Sequence, residues 1–325
     1  MQRRNERTKW VLYTLLCVAA DVIDTFLSNF AVSNRVPYDS LQPSDVDGLS
    51  DEEIQELAKK APRLHSKHAV FKLTLGTIAK VAQDMDEDMS DASEANVLNL
   101  IFAKTTIPVP RVRRVVEFKW ERDYLIVLDY IKGPTLAEVW PTYSIWQKIG
   151  VAFTLRRYIC QLRGLKASPS TPPGPIGKDG PRMCESPIFG RVRSRRGPFA
   201  SYAELTSFFN KGAQLAYDFW HKFPKDHPRR KTRFDDSEAL VLTHQDINPR
   251  NIIVGEDGTL WMIDWAWSGY YPPWFEYVAM NCQLENEEDR GSYYKHWDLL
   301  IPFVCGPCFE QEKWLLYIMG GLQFC

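Results

Sequence analysis

Residues Val241 to Glu276 read VLTHQDINPRNIIVGEDGTLWMIDWAWSGYYPPWFE. Ala239 to Thr243 is a short apolar run, His244 to Arg250 is polar and holds Pro249, and Asn251 to Val254 is apolar again. Glu256-Asp257-Gly258 is a hairpin turn signal, and Leu260 to Ile263 pairs back on the run before it. A loop followed by a hairpin gathers Asp246, Asn251 and Asp264 at one end of two strands. Three oxygen-bearing side chains there can serve a hard cation and a hydroxyl proton together. A purely structural reading also exists. Asp and Asn favour turns, so Asp246 could cap a turn, Asn251 satisfy a strand end and Asp264 face water.

The pattern H-x-D-x-x-x-x-N, a hairpin and then Ile263-Asp264-Trp265 resembles the catalytic core of the aminoglycoside phosphotransferase family. Choline kinases and protein kinases share the spacing. In protein kinases the matching parts are the H-R-D-x-x-x-x-N loop and the D-F-G triplet. The wording NPRNIIV, IDWAWSGYYP and EYV, with Ile107-Pro108-Val109-Pro110 upstream, looks most like the fungal branch. The resemblance spans about residues 64–300. It implies an α+β, protein kinase-like bilobal fold with a small antiparallel β N-lobe and a mainly helical C-lobe. The division it suggests is 1–50 as a helical extension and linker, 51–130 as N-lobe, and 131–325 as C-lobe with the catalytic loop and substrate-binding helices.

Candidate site residues follow along the chain. Alternating apolar residues predict strands over Ala69 to Leu75 and Thr77 to Ala82, with a turn at Gly76. Lys80 on the second strand could reach nucleotide phosphates as a point charge if it faces inward. Alone it reads as a solvated lysine; the resemblance reverses this, because the family places its phosphate lysine on such a strand. Lys72 is the weaker rival. Glu94 is the only acid on the predicted helix Ser93 to Lys104, and the resemblance gives it the role of fixing that lysine. Its other reading is an acid favoured by the helix dipole. Strands over Val112 to Phe118 and Tyr124 to Asp129 lead to Asp129-Tyr130-Ile131, which the resemblance makes the hinge between lobes, its main chain set to bind adenine. The family pattern then makes Asn251 and Asp264 magnesium ligands, with ATP or GTP as cosubstrate. Asp246 becomes the group that orients an acceptor hydroxyl and accepts its proton. At its ordinary pKa Asp246 is a weak base, so its value lies in position. His244 reads as a brace, and Asn248 and Arg250 carry no assignment. The departures are the lone Gly76 where a glycine-rich loop could stand, Gln245 where many members have Gly, and Trp265 for Phe.

Composition narrows the rest. The chain has 325 residues, 45% hydrophobic and 25% charged, enough for one large domain or two lobes around a cleft. A formal net charge of -1 gives no electrostatic case for nucleic acid. Seven scattered cysteines argue against a disulfide framework. Cys305-Gly-Pro-Cys308 has redox spacing without the strand-then-helix setting. Arg3, Arg4, Arg7 and Lys9 before the apolar run Trp10 to Ala20 mimic a signal peptide. That run is too short to span a bilayer, and an amphipathic helix to Phe30 with Val22, Phe26 and Leu27 on one face explains it. A cytoplasmic protein without stable membrane insertion is expected, a signal or membrane-associated helix being the alternative.

Residues 168–198 hold seven prolines, five glycines and the basic run Arg191 to Arg196, and read as a long irregular loop with a solvated basic face, or one that could meet an acidic substrate or partner. Long helices are expected over Tyr143 to Leu165, with Ile145, Ile149, Phe153, Tyr158, Ile159 and Leu162 inward, and over Ser201 to Lys222. Gly269 to Pro273 reads as a turn. Glu285, Glu287, Glu288 and Asp289 form an acidic cluster, solvated or, as in the antibiotic kinases, set to hold a cationic substrate. These readings converge on a small-molecule O-phosphotransferase acting on a hydroxyl acceptor. The alternative is a catalytically inactive kinase-like binding protein. A protein kinase would need an activation segment, for which Gly269-Tyr270-Tyr271-Pro272 leaves no room.

Overall fold

The computed structural model describes residues 2–28, 43–64, 70–82, 91–118, 123–289 and 291–325. Residues 31–42 of the expected linker and Ala69 of the expected first strand lie outside them, as do the side chains of Arg3, Arg4, Phe26, Leu27 and Asp289.

Helix α1 (Gln2–Ser28) is followed by α2 (Asp51–Lys60), which starts on a capping box: Ser50 Oγ accepts from Glu53 N–H while Glu53 accepts from Ser50 N–H. Strands β1 (Val70–Lys72), β2 (Thr77–Val81), β3 (Val112–Phe118) and β4 (Asp123–Asp129) form one antiparallel sheet in the order β1-β2-β4-β3. The pleat sorts its side chains. Leu125 and Val127 of β4 join Ala79, Val116, Ile54 and Ala58 in a small core beneath α2. Ile126 and Leu128 face the other way, into the main core with Leu98 and Ile101 of α3 (Ser93–Lys104). Lys80 pairs across the sheet with Ile126, so it lies on that inner face.

The helical part begins with α4 (Leu136–Val139) and α5 (Ile145–Gly164), each opened by a capping box, at Thr135 and Ser144. The buried stripe of α5 is Val151, Ala152, Leu155, Tyr158, Ile159 and Leu162. Ile145, expected inside, is 54% exposed, because the stripe begins only at Lys148. Helix α6 (Tyr202–Leu215) does not run to Lys222 as expected; a π-turn takes over at Ala216–Trp220. Helices α7 (Trp274–Asp289), α8 (Trp297–Cys305) and α9 (Phe309–Leu322) complete the lobe. A Cβ on Gly321 would collide with the Gly212 carbonyl, so two glycines permit the close crossing of α6 and α9.

Strands β5 (Val241–Thr243), β6 (Ile252–Val254), β7 (Leu260–Met262) and β8 (Gly269–Tyr271) form two antiparallel pairs, β5 with β8 and β6 with β7. The expected turn at Gly269 to Pro273 is therefore a strand in its first half. Its partner lies far back in sequence, so no local pattern announces it. The 168–198 segment is irregular as expected, with two short 3-10 turns, yet much of it is packed. Cys184, Ile188 and Phe189 are fully buried, and Gly174 exchanges backbone hydrogen bonds of 3.1 and 2.9 Å with Tyr270. Arg196 does not belong to a solvated basic face. It is buried, and its guanidinium donates to the Glu185 and Gly190 carbonyls. All seven cysteines are free thiols, and burial pushes Cys308 up to about 11 and Cys305 well above its ordinary value. Neither has the thiolate character of a redox pair.

Candidate active site

Lys80 is buried, and its ammonium meets two carboxylates: Glu94 of α3 at 2.8 Å and Asp264, just past β7, at 2.6 Å. Burial alone would depress this ammonium; Asp264 and Glu94 overcome that and hold it above its ordinary value. Glu94 is buried too, so desolvation pushes its carboxyl upward while Lys80 pulls the other way. Its Oε1 also accepts the Trp265 N–H at 3.0 Å. One acid of α3 thus ties the β2 lysine to the Asp264-Trp265 segment of the other lobe.

The loop after β5 supplies the other half. Asp246 is buried and accepts from Asn251 Nδ2 at 2.7 Å and Asn248 Nδ2 at 3.0 Å. Burial, reinforced by the charge of Asp264, pushes the Asp246 carboxyl up to about 8. Asn248 caps the 3-10 turn Pro249–Asn251 by accepting from Arg250 N–H, which fixes Asn251 beside Asp246.

This loop is held in an unfavourable conformation. Gln245 and Asp264 both adopt left-handed backbone, with φ of 63° and 64°. Asp tolerates that region better than Gln. Gln245 thus holds an angle that glycine adopts most readily. Such a conformation persists when its surroundings over-determine it. Glu276 of α7 does so: fully buried, it accepts the His244 N–H at 2.6 Å and the Gln245 N–H at 2.9 Å. Burial pushes Glu276 up to about 7, and the two backbone donors pull it down.

His244 braces the loop as expected. Its Nδ1 accepts the Asp246 N–H at 3.2 Å and its Nε2 lies 3.1 Å from the Ile263 carbonyl, so Nε2 carries the proton of a neutral ring. Burial lowers His244 to about 4.

The hinge groups are partly committed. Asp129 N–H donates to the Arg111 carbonyl at 3.0 Å and Tyr130 N–H to Gly76 at 2.8 Å. Among the described residues Ile131 N–H makes no hydrogen bond, so it is the amide of this trio without an internal acceptor. The Asp129 carboxylate is held by Arg113, and Lys72 stands over the Tyr130 ring, 4.4 Å from its centre, rather than beside Lys80.

Three contributors escaped the sequence reading. Glu276 is a lone acid in the apolar run Trp274 to Met280, which signals a buried carboxylate with dedicated partners. Glu287 belongs to the acidic cluster but is buried; Arg250 pairs with it at 2.9 Å and Tyr294 donates to it at 3.3 Å. Asp91, just before α3, forms a buried ion pair with Arg182 of the irregular 168–198 segment and also accepts the Lys178 N–H. Asn96 of α3 donates to the Ile176 carbonyl at 2.8 Å, so that segment clamps the start of the helix carrying Glu94.

The donor set suits magnesium. Asn251 gives its amide nitrogen to Asp246, which keeps the amide oxygen as its second group, and Asp264 adds a carboxylate. Among the described residues no cluster of three His, Cys, Asp or Glu could hold a metal alone. Magnesium commonly binds through one or two carboxylates plus substrate phosphates.

The model of the phosphotransferase enzyme family matches residues 69–293. No curated protein sequence matches. Among solved structures, a thermostable mutant of aminoglycoside phosphotransferase APH(4)-Ia is 15% identical, covering 78% of this chain and 89% of its own, with a TM-score of 0.41. The GDP complex of aminoglycoside 2'-phosphotransferase-IIIa is 10% identical over 81% of this chain and 82% of its own, with a TM-score of 0.47. The gentamicin complex of APH(2")-IIa is 12% identical over 85% and 97%, with a TM-score of 0.44.

Proposed function

The chain belongs to the phosphotransferase enzyme family, and from that premise we propose that it uses ATP or GTP with magnesium to phosphorylate a hydroxyl of a small molecule. The observation that carries the reading is the convergence of Lys80, Glu94, Asp264, Asn251 and Asp246 from both lobes.

Phosphoryl transfer needs charge neutralisation and in-line placement more than covalent chemistry. Lys80, held by Glu94, binds the inner phosphates, and the main chain of Asp129 to Ile131 takes the base, with Ile131 N–H the available donor. Asp264 and Asn251 hold magnesium, which when bound offsets the negative charge of the phosphates. Asp246 accepts a hydrogen bond from the acceptor hydroxyl and aims its oxygen at the terminal phosphorus. A bond forms from that oxygen to phosphorus, the bond to the nucleoside diphosphate breaks, and the hydroxyl proton passes to Asp246. The two amides on Asp246 fix the carboxylate's orientation, which is its main contribution.

Of the α7 acidic cluster, Glu285 and Glu288 are exposed and Glu287 is buried. Glu287, the buried member of the α7 cluster, is neutralised by Arg250 beside Asp246. This favours an acceptor recognised through its hydroxyl rather than through a cation placed on Glu287. Nucleoside diphosphate release, measured across hydroxyl-bearing acceptors with Asp246→Asn as control, tests the reading. An acceptor-dependent rate that the variant loses supports it. Equal release by both proteins with every acceptor would leave the chain a non-catalytic binding protein.

A further inference from the structure

Helix α1 lies on the helical lobe through one narrow stripe. Cys17 and Ala20 are buried, Tyr13 and Asp24 half-buried, and these recur at helical spacing. The contacts are specific: Tyr13 OH donates to the Leu299 carbonyl at 3.0 Å and Cys17 approaches the Phe303 carbonyl. Most of the large apolar residues of α1, Val22 of the expected apolar face among them, face outward. Leu12, Leu15 and Val22 are 54%, 63% and 64% exposed, with Val11, Val18 and Ile23 flanking them. No α1 segment is long and apolar enough to cross a membrane.

The charges of α1 are sorted as sharply. Each of its acids is tied to the body: Glu6 to Lys313, Asp21 to Arg156 and Asp24 to Arg157, all at 2.7 Å. Arg7 and Lys9 are exposed and, among the described residues, in no ion pair. Arg3 and Arg4 lie in the same first turns. The outer side of α1 therefore combines a continuous apolar face with basic residues at one end, while its acids are neutralised by the protein behind it. That is the pattern of a helix lying in the plane of a bilayer interface, where basic residues are drawn to anionic headgroups. A second copy of the chain would also cover apolar area, but it would bring the same unpaired Arg7 and Lys9 and no matching acids from α1.

We propose that α1 is a peripheral docking surface for anionic lipid bilayers, holding the protein at a membrane without crossing it. The test is co-sedimentation of the full chain with phosphatidylcholine vesicles containing about 30% phosphatidylserine, against phosphatidylcholine alone. Wild type binds the anionic vesicles at low salt, and binding weakens as salt rises. The triple variant Leu12→Ser, Leu15→Ser, Val22→Ser, at exposed positions, and the double variant Arg7→Glu, Lys9→Glu each lower partitioning by at least about tenfold. Circular dichroism melts matching wild type show that the variants fold. Absence of binding to anionic vesicles overturns the proposal. So does light scattering that finds a wild-type dimer which the triple variant converts to monomer while vesicle binding is unchanged, since the face would then join two copies.

Discussion

Glu94 and Trp265 stand 171 positions apart, yet the Trp265 N–H donates to Glu94 Oε1 at 3.0 Å in a buried setting. The same carboxylate grips Lys80, so one acid on α3 holds both that lysine and the backbone next to Asp264. Glu94→Gln removes the charge and keeps the shape. Misplacing a catalytic group by about an ångström can reduce rates roughly 100-fold. Steady-state kinetics of the variant therefore show kcat/KM for nucleotide falling by about that factor, and Lys80→Met falls further. A Glu94→Gln enzyme within a few-fold of wild type would show that Lys80 is positioned by Asp264 alone.

Arg182 and Asp91 form a buried pair that joins the 168–198 segment to the start of α3. Arg182→Met leaves the Asp91 carboxylate buried without its cation. Removing one partner of such a pair destabilises by about 3 kcal/mol or more. Thermal melts read this as a lowered Tm, and nucleotide affinity falls with it because Glu94 rides on that helix. A lowered Tm with unchanged nucleotide affinity would reduce the clamp to ordinary packing.

Glu276 bonds the two amides that hold Gln245 in its left-handed conformation. Glu276→Gln turns one acceptor oxygen into an NH2 facing a backbone N–H. A buried donor left unpaired is destabilising by roughly 1–3 kcal/mol. The variant melts earlier and loses activity through Asp246, at the end of the same loop. Equal melting and activity in the two proteins would mean the loop needs no such anchor.

His244 gives the fold a sensitivity to acid. Its pKa is lowered from 6.5 to about 4 by burial, so the unfolded chain binds a proton first as pH falls. Its contribution to stability is full above pH 6.5 and is lost as pH falls toward about 4. The difference corresponds to roughly 3 kcal/mol at most. In melts from pH 8 to pH 4, the Tm gap between wild type and His244→Gln narrows over that window. A gap that stays constant would show that His244 titrates alike in both states.

Local chemistry made much of this legible. The capping box at Ser50, the helix from Ser93 to Lys104 and the hairpin around Gly258 each rest on residues adjacent in sequence, and each is present. The motif residues gathered as expected because the loop and hairpin that carry them are local too. What stayed hidden is non-local. Gly269 to Tyr271 is a strand only because Val241 to Thr243 lies beside it. Prolines and glycines forecast an irregular 168–198 backbone correctly but say nothing about packing, so the burial of Phe189, Arg182 and Arg196 was invisible. Hydrophobicity puts Val22 on an apolar face of α1, but ion pairs and the Tyr13 hydrogen bond decide which side docks, and Val22 is left exposed.

The proposed phosphoryl transfer requires nucleotide to bind through a cation held by Asp264. Calorimetric titration with ATP and GTP, with and without magnesium, should compare wild type with Asp264→Asn. Asparagine tolerates the left-handed backbone at this position, so the variant removes the charge without adding strain. The account predicts magnesium-dependent binding by wild type that the variant loses. Absence of binding in a folded wild type, or equal magnesium-dependent binding by both proteins, would contradict it.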